Sequence, residues 1–247
     1  MLMAMSMLAD YPVDPPPLRR PVVLTQSWSD VTFIHWPVHP DSIAHMYPPG
    51  TRPDVFADGM TYVGLLPFVA RGSRLGSAIP LPYFGTYPEN NIRLYSIDDA
   101  GRHGLLFRSL ETTRLAVVPL TRTGLGVPYS WAKMRVTRSA DRITYHSVRR
   151  WPRRGLRSRV SVSVGGVVEP TALEVWLTSR WGAHTRKAGR TWWVPVAHKL
   201  WLLQAAEVDE LDDELLGASG VRPAGERLRV LFSPGVRTRF GRPAVAG

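Results

Sequence analysis

The chain has 247 residues, 44% hydrophobic and 21% charged, with a net charge of +11 and no cysteine. That length fits one large domain or two small ones, and it can bury roughly 70–75% of its unfolded surface without staples. The missing cysteine excludes disulfides, thiolate metal sites and cysteine nucleophiles, and no apolar run approaches the ~20 residues of a membrane span. The start, Met1 to Leu8, is apolar but lacks a basic n-region and is short for a signal peptide, so the chain reads as cytoplasmic. Residues 1–22 read as a flexible, proline-rich N-terminal arm ending in Asp14-Pro-Pro-Pro-Leu-Arg-Arg-Pro21. Ser29 to Val38 predicts a strand, followed by a short helix over Asp41 to Met46 that Pro48-Pro-Gly50 stops. Asp54 to Phe68 predicts a β-hairpin around the tight-turn pair Asp58-Gly59. Residues 71–83 read as a loop rich in Gly, Ser and Pro.

The stretch Phe84 to Ile97 predicts the strand around which the rest is organised. Alternation places Glu89, Asn91, Arg93 and Tyr95 on one face, with Ile92 and Leu94 on the other. The polar row faces either water or a lined cavity, and the pattern alone leaves both open. Arg102 to Arg108 predicts another strand. Leu110 to about Arg122 predicts a helix capped by Ser109, with Glu111 in its first turn and Pro119 inside it. From Tyr129 onwards the pattern is almost wholly β: Tyr129 to Thr137, Arg142 to Arg150, Arg157 to Val164, Leu173 to Ser179, Arg190 to Pro195 and His198 to Val208. Glu207 to Leu216 reads as an acidic short helix or loop, and Leu228 to Phe232 as the last strand. Roughly ten strands with few helices point to a barrel or a closed, bent sheet in one domain over residues 23–240, with 241–247 a frayed tail.

Few chemical motifs survive inspection. His35 and His39 have Pro37 between them, and on a strand they stand about 13 Å apart, so no metal site is expected. No cofactor is expected either: phosphate-cradling glycine loops are missing, as is the Gly-x-Ser-x-Gly elbow of serine hydrolases. Arg149 to Arg159 holds six arginines and a tryptophan at a predicted hairpin tip. It reads as a solvated loop or as a surface for nucleic acid or another acidic partner. Only three of the 31 basic residues are lysine, a skew that codon usage also produces, so nucleic acid is not the favoured partner. In Gly126 to Met134, Tyr129, Trp131 and Lys133 share one face. Lys133 is then either a snorkelling surface lysine or an amine of lowered pKa.

Several of these segments together resemble the DUF2071 (YqjF-like) family, in order, from about residue 25 to 240. They are Phe33 to Pro40 with Pro48-Pro-Gly50, Asp58 to Phe68, Tyr87 to Arg93, Gly126 to Met134, Leu177 to Trp181 and His198 to Gln204. That family is similar to acetoacetate decarboxylase. The resemblance implies a mostly β (α+β) fold, a bent, cone-like closed β-sheet with a few short helices, and turns the polar row inward. It also matches Tyr87-Pro88-Glu89 to the Tyr-x-Glu of the decarboxylase relatives. Their Schiff-base lysine lies in a Gly-x-Pro-Lys-Lys motif, where this chain has Gly126-Val-Pro-Tyr-Ser130. Tyr129 and Ser130 thus replace both lysines, which removes the amine nucleophile. The expected function is a small-molecule pocket for a carboxylate or carbonyl compound, without Schiff-base decarboxylation. Glu89 is its candidate acid or base, Arg93 its anchor, and Asn91, Tyr95, Tyr129 and Ser130 its liners. Lys133 is a poor substitute amine, and a homo-oligomer stays open.

Overall fold

The computed structural model describes residues 11–246; the apolar start of the expected arm, residues 1–10, lies outside them. The elements run β1 (Leu24–Val38), α1 (Pro40–Ile43), a 3-10 turn (Ala44–Met46), β2 (Thr51–Pro53), β3 (Thr61–Leu75) and β4 (Ile79–Pro80). Next come β5 (Thr86–Asp98), β6 (His103–Thr112), α2 (Val117–Leu125), β7 (Tyr129–Ser139), β8 (Arg142–Trp151) and β9 (Arg157–Val167). The chain continues through α3 (Ala172–Thr178), β10 (Gly182–Lys187), β11 (Arg190–His198), β12 (Gln204–Asp213), α4 (Leu215–Ala218), β13 (Val230–Phe240) and β14 (Ala244–Val245).

These strands form one mixed sheet that returns on itself. The path β6-β7-β8-β9-β12-β13-β1-β3-β5 closes because β5 also pairs with β6. A second closure passes through β10 and β11, since β10 pairs with β6 and β11 with β13. β13, β1, β3, β5 and β6 therefore belong to both closures, and the wall they form between two interiors buries residues on both faces. Ile34, Val63, Leu65, Ile92 and Leu94 pack on one side against Ile143, Val160, Val162 and Phe232. On the other side Tyr62, Tyr95 and Leu105 pack against Trp176 and Leu177 of α3. A sheet buried on both faces loses the clean alternation of a one-sided sheet, and this is why β3 reads as a near-continuous apolar run.

Four local expectations are corrected. The stretch from Leu110 is strand through Thr112, and the helix starts only at Val117, so Ser109 caps nothing and Glu111 lies in β6. Pro119 then falls in the first turn of α2, where its missing N–H breaks no helical bond. Leu173 to Ser179 is not a strand but the helix α3, opened by a capping box in which Thr171 accepts from the Glu174 N–H and Glu174 accepts from the Thr171 N–H. Asp58-Gly59 makes a turn, and Asp58 Oδ1 accepts from the Met60 N–H, but the strand before it, β2, pairs with β5 and not with β3, so no hairpin forms. The acidic run over residues 207–213 is neither helix nor loop: it continues β12.

Residues 11–13 pack against α3 and the segment after it. The Tyr11 hydroxyl donates to the carbonyls of Ser179 and Trp176, and Trp181 Nε1 donates to the Pro12 carbonyl. Among the described residues, no helix is long and apolar enough to cross a membrane.

Candidate functional site

A cavity of about 420 Å³ lies on the β10–β11 side of the shared wall, within the size range of small-molecule sites. Leu105, Phe107 and Leu110 of β6 form one side of it, and Ala183, Val194 and Val196 of β10 and β11 another. α2 supplies Val117, Leu120 and Leu125, and Leu120 is 65% exposed, so the cavity opens beside this helix. Gly126 ends α2 with φ 70, a left-handed conformation that glycine adopts without strain. Any β-carbon there would meet the Arg186 carbonyl oxygen at 2.2 Å, so glycine also lets the end of α2 close against β10.

Glu89 is buried at the cavity wall, and the Tyr129 hydroxyl donates to its Oε2 at 2.9 Å. Burial pushes the Glu89 carboxyl up to about 7, against hydrogen bonding from Tyr129 and Asn91 that pulls it down. Burial, reinforced by the neighbouring Glu89, pushes the Tyr129 phenol well above its ordinary value. Below about pH 7 the pair thus holds its protons and little charge. Among the described residues, the cavity wall has no Lys, Arg or His.

The structure brings three of the expected site residues together and separates the rest. Glu89, Asn91 and Tyr129 form one group. Arg93 and Tyr95 share the strand face but lie deeper, in a different cluster. There Arg93 Nη2 donates to the Leu177 carbonyl and the Tyr95 hydroxyl, both at 3.3 Å. The Tyr95 hydroxyl meets His35 Nε2 at 2.7 Å, and its ring stacks on Trp176 at 5.2 Å. Burial, followed by the Arg93 and Arg180 charges, holds His35 well below its ordinary value. Ser130 is buried beside Glu111 in the β6–β7 register, one residue out of step with Tyr129 and so on the opposite face. Lys133 is exposed in an outer groove with Arg135 and Arg150. β7 pairs with β6 only from Tyr129 to Trp131, so by Lys133 the strand has left the cavity wall.

The arginine-rich hairpin is also rearranged. Arg149 is buried, and its guanidinium grips Glu111 through Nε and Nη2 while Nη2 donates to Ser109 Oγ. Arg159 pairs with Glu210. Lys133, Arg135, Arg150 and Arg154 remain around an outer groove of about 470 Å³.

Sequence reasoning missed Gln26 and Ser73, which line the cavity and bond to each other, Ser73 Oγ donating to Gln26 Oε1 at 3.2 Å. They are 47 positions apart, and only the β1–β3 register brings them together. No local pattern marks either.

Comparisons with known proteins agree with this architecture. Residues 25–237 match the model of DUF2071, an uncharacterized conserved protein family. The uncharacterized protein YqjF of Bacillus subtilis (strain 168) is 28% identical over 201 residues, covering 81% of this chain and 82% of YqjF. Among solved structures, the enduracididine biosynthesis enzyme MppR with HEPES buffer bound superposes with a TM-score of 0.65 at 14% identity, covering 93% of this chain and 89% of MppR. Acetoacetate decarboxylase from Legionella pneumophila gives a TM-score of 0.64 at 15% identity, covering 97% and 95%. The fold is thus the acetoacetate decarboxylase-like one expected from the sequence, and the chain belongs to the DUF2071 family.

Proposed function

We propose that this protein binds a small neutral carbonyl compound in the cavity, held by Glu89 and Tyr129 without a covalent bond. The observation that carries this reading is a carboxyl buried against a phenol in a cavity wall that lacks a cation. A carboxylate ligand would find no counter-charge there and would meet a carboxyl that ionises near neutral pH. A carbonyl oxygen instead accepts the proton that Glu89 retains. With Tyr129 and Ser130 at the lysine positions of the decarboxylase relatives, and Lys133 outside the cavity, an imine has no amine to form on. MppR, similar in fold, is found in complex with pyruvate; the carbonyl half of that molecule is what this reading keeps, and its carboxylate is what a wall without a cation would reject.

Calorimetric titration with acetylacetone and methyl ketones near pH 6 and pH 8.5 tests this. Binding is expected at the lower pH, weakening as pH rises through about 7. Glu89→Gln should keep binding but lose its pH dependence, and Glu89→Leu should weaken it at least about tenfold, the loss of one buried charge-free hydrogen bond. Binding indifferent to pH and to Glu89→Leu, or a borohydride-trapped adduct, would overturn the reading.

The outer basic groove supports a second reading, an acidic partner or nucleic acid docked on Lys133, Arg135, Arg150 and Arg154. Such binding would fall steeply with salt, whereas cavity binding would not.

A further inference from the structure

We infer that the ligand is an amphiphile with one polar end and an extended apolar body, and that it enters tail-last through an apolar mouth beside α2; this rests on Glu89 and Tyr129 being its polar anchor. Three observations carry it.

The first is where the polar groups of the cavity direct their protons. Beyond Glu89 and Tyr129, the residues of the wall that carry polar side-chain groups are Gln26, Trp28, Ser73, Tyr87 and Thr121. Ser73 donates to Gln26, Thr121 donates back to the Val117 carbonyl of its own helix at 2.7 Å, and Tyr129 donates to Glu89. Ser73, Thr121 and Tyr129 are thus engaged within the protein, and the Glu89 carboxyl, with Tyr87 beside it on the cavity wall, remains to turn to a ligand. One polar end thus finds its partners around Glu89, and a second would meet none on the Leu, Val and Phe side chains of β6, α2 and β11.

The second is the size of the apolar remainder. A compact keto acid would occupy a small part of about 420 Å³ and leave the Leu, Val and Phe walls against trapped water. An alkyl chain or ring system displaces that water and gains the burial of every methylene.

The third is the mouth. Leu120, 65% exposed, is both wall and rim. Leu75 and Ile79, 54% and 59% exposed, pair with each other next to Leu24 and Leu81 of the wall. Exposed large apolar side chains grouped at an opening mark a binding surface and not ordinary surface noise. Leu24 and Leu81 beside them, and Leu120 itself, line the same cavity as Glu89.

The test is a chain-length series of methyl ketones from butanone through hexan-2-one and octan-2-one to decan-2-one, titrated near pH 6 into the whole chain. Kd is expected to fall about threefold to fourfold for each added methylene until the chain outgrows the cavity. Ala183→Leu, which narrows the cavity beside Leu105 of β6, should cut the gain for the long ketones far more than it weakens butanone. Leu125→Trp on the half-buried rim serves as an independent second plug, with the melting curve of each unliganded variant checking that it folds. A flat series that still depends on Glu89 would overturn the amphiphile and leave the carbonyl site standing. Tighter binding of a small keto acid than of octan-2-one would do the same to both the apolar body and the missing counter-charge. No binding by any ketone would overturn the inference and the underlying site together.

Discussion

Glu89 holds the clearest tension at the scale of single residues. Folding raises its pKa from 4.5 to about 7, chiefly by burial, so the folded chain holds this proton more tightly than the unfolded one. The resulting penalty is absent below about pH 4.5 and complete above about pH 7; a shift of that size corresponds to about 3 kcal/mol as an upper limit. Glu89→Gln should therefore raise the urea midpoint at pH 8 and leave it unchanged at pH 4.5. A structural carboxylate in an ion pair would behave oppositely, as Glu111 illustrates. Its oxygens are gripped by Arg149 and Ser109, and removing it strands a buried guanidinium. Glu111→Gln should lower the urea midpoint at every pH, and denaturation measured on the two variants side by side separates a site residue from a scaffold residue. A gain for both would undo the distinction.

At the scale of elements, α2 and its terminal glycine govern the cavity. Gly126→Ala combines a left-handed backbone with a β-carbon at 2.2 Å from the Arg186 oxygen, so it should cost about 1–3 kcal/mol and move α2 off β10. Ketone affinity should drop in the same variant, and an unchanged affinity would detach α2 from the site. The legibility of the chain also divides by element. β5 is readable because its alternation survives intact: its register with β3 is continuous from Thr86 to Leu94, so Glu89, Asn91, Arg93 and Tyr95 do share a face. How far along that face the cavity reaches is not readable, since it depends on where α3 caps the strand with the Leu177 carbonyl. α3 itself announces its start through Thr171 and Glu174, yet its Leu, Val and Trp content mimics a strand. The opposite error occurred at Leu110, where polar neighbours resembling a helix start belong to a buried ion-pair cluster in β6. Gln26 and Ser73 were beyond reach, because register is a property of two strands and neither carries it alone.

For the whole molecule, the doubly closed sheet buries histidines that must stay neutral. Burial lowers the pKa of His35 and of His184, and that of His198 to about 4. Folding here depresses the pKa, so the unfolded chain takes up protons first, and stability is lost as pH falls from about 6.5 towards 4. His198 by itself should contribute about 2 kcal/mol to the loss between pH 8 and pH 5. Denaturant midpoints for wild type and His198→Gln across that interval check this, and equal slopes would refute it. Because Glu89 acts with the opposite sign over overlapping pH, only such paired comparisons resolve either group.

The pairing of β1 with β13 has a temporal consequence. Thr238 Oγ1 donates to the Gln26 carbonyl across 212 positions of chain, and both closures of the sheet pass through β13. During synthesis, β1 and β3 leave the ribosome long before the strand that completes their wall. The nascent chain therefore carries an unmated edge from the emergence of β1 until that of β13, and the cavity comes into being only then. Loop closure over such a span is slow, so a stall or truncation ahead of Val230 would release an open sheet prone to pair with its neighbours. Nascent chains arrested before and after β13, compared for protease resistance, would time the moment at which this protein acquires an inside.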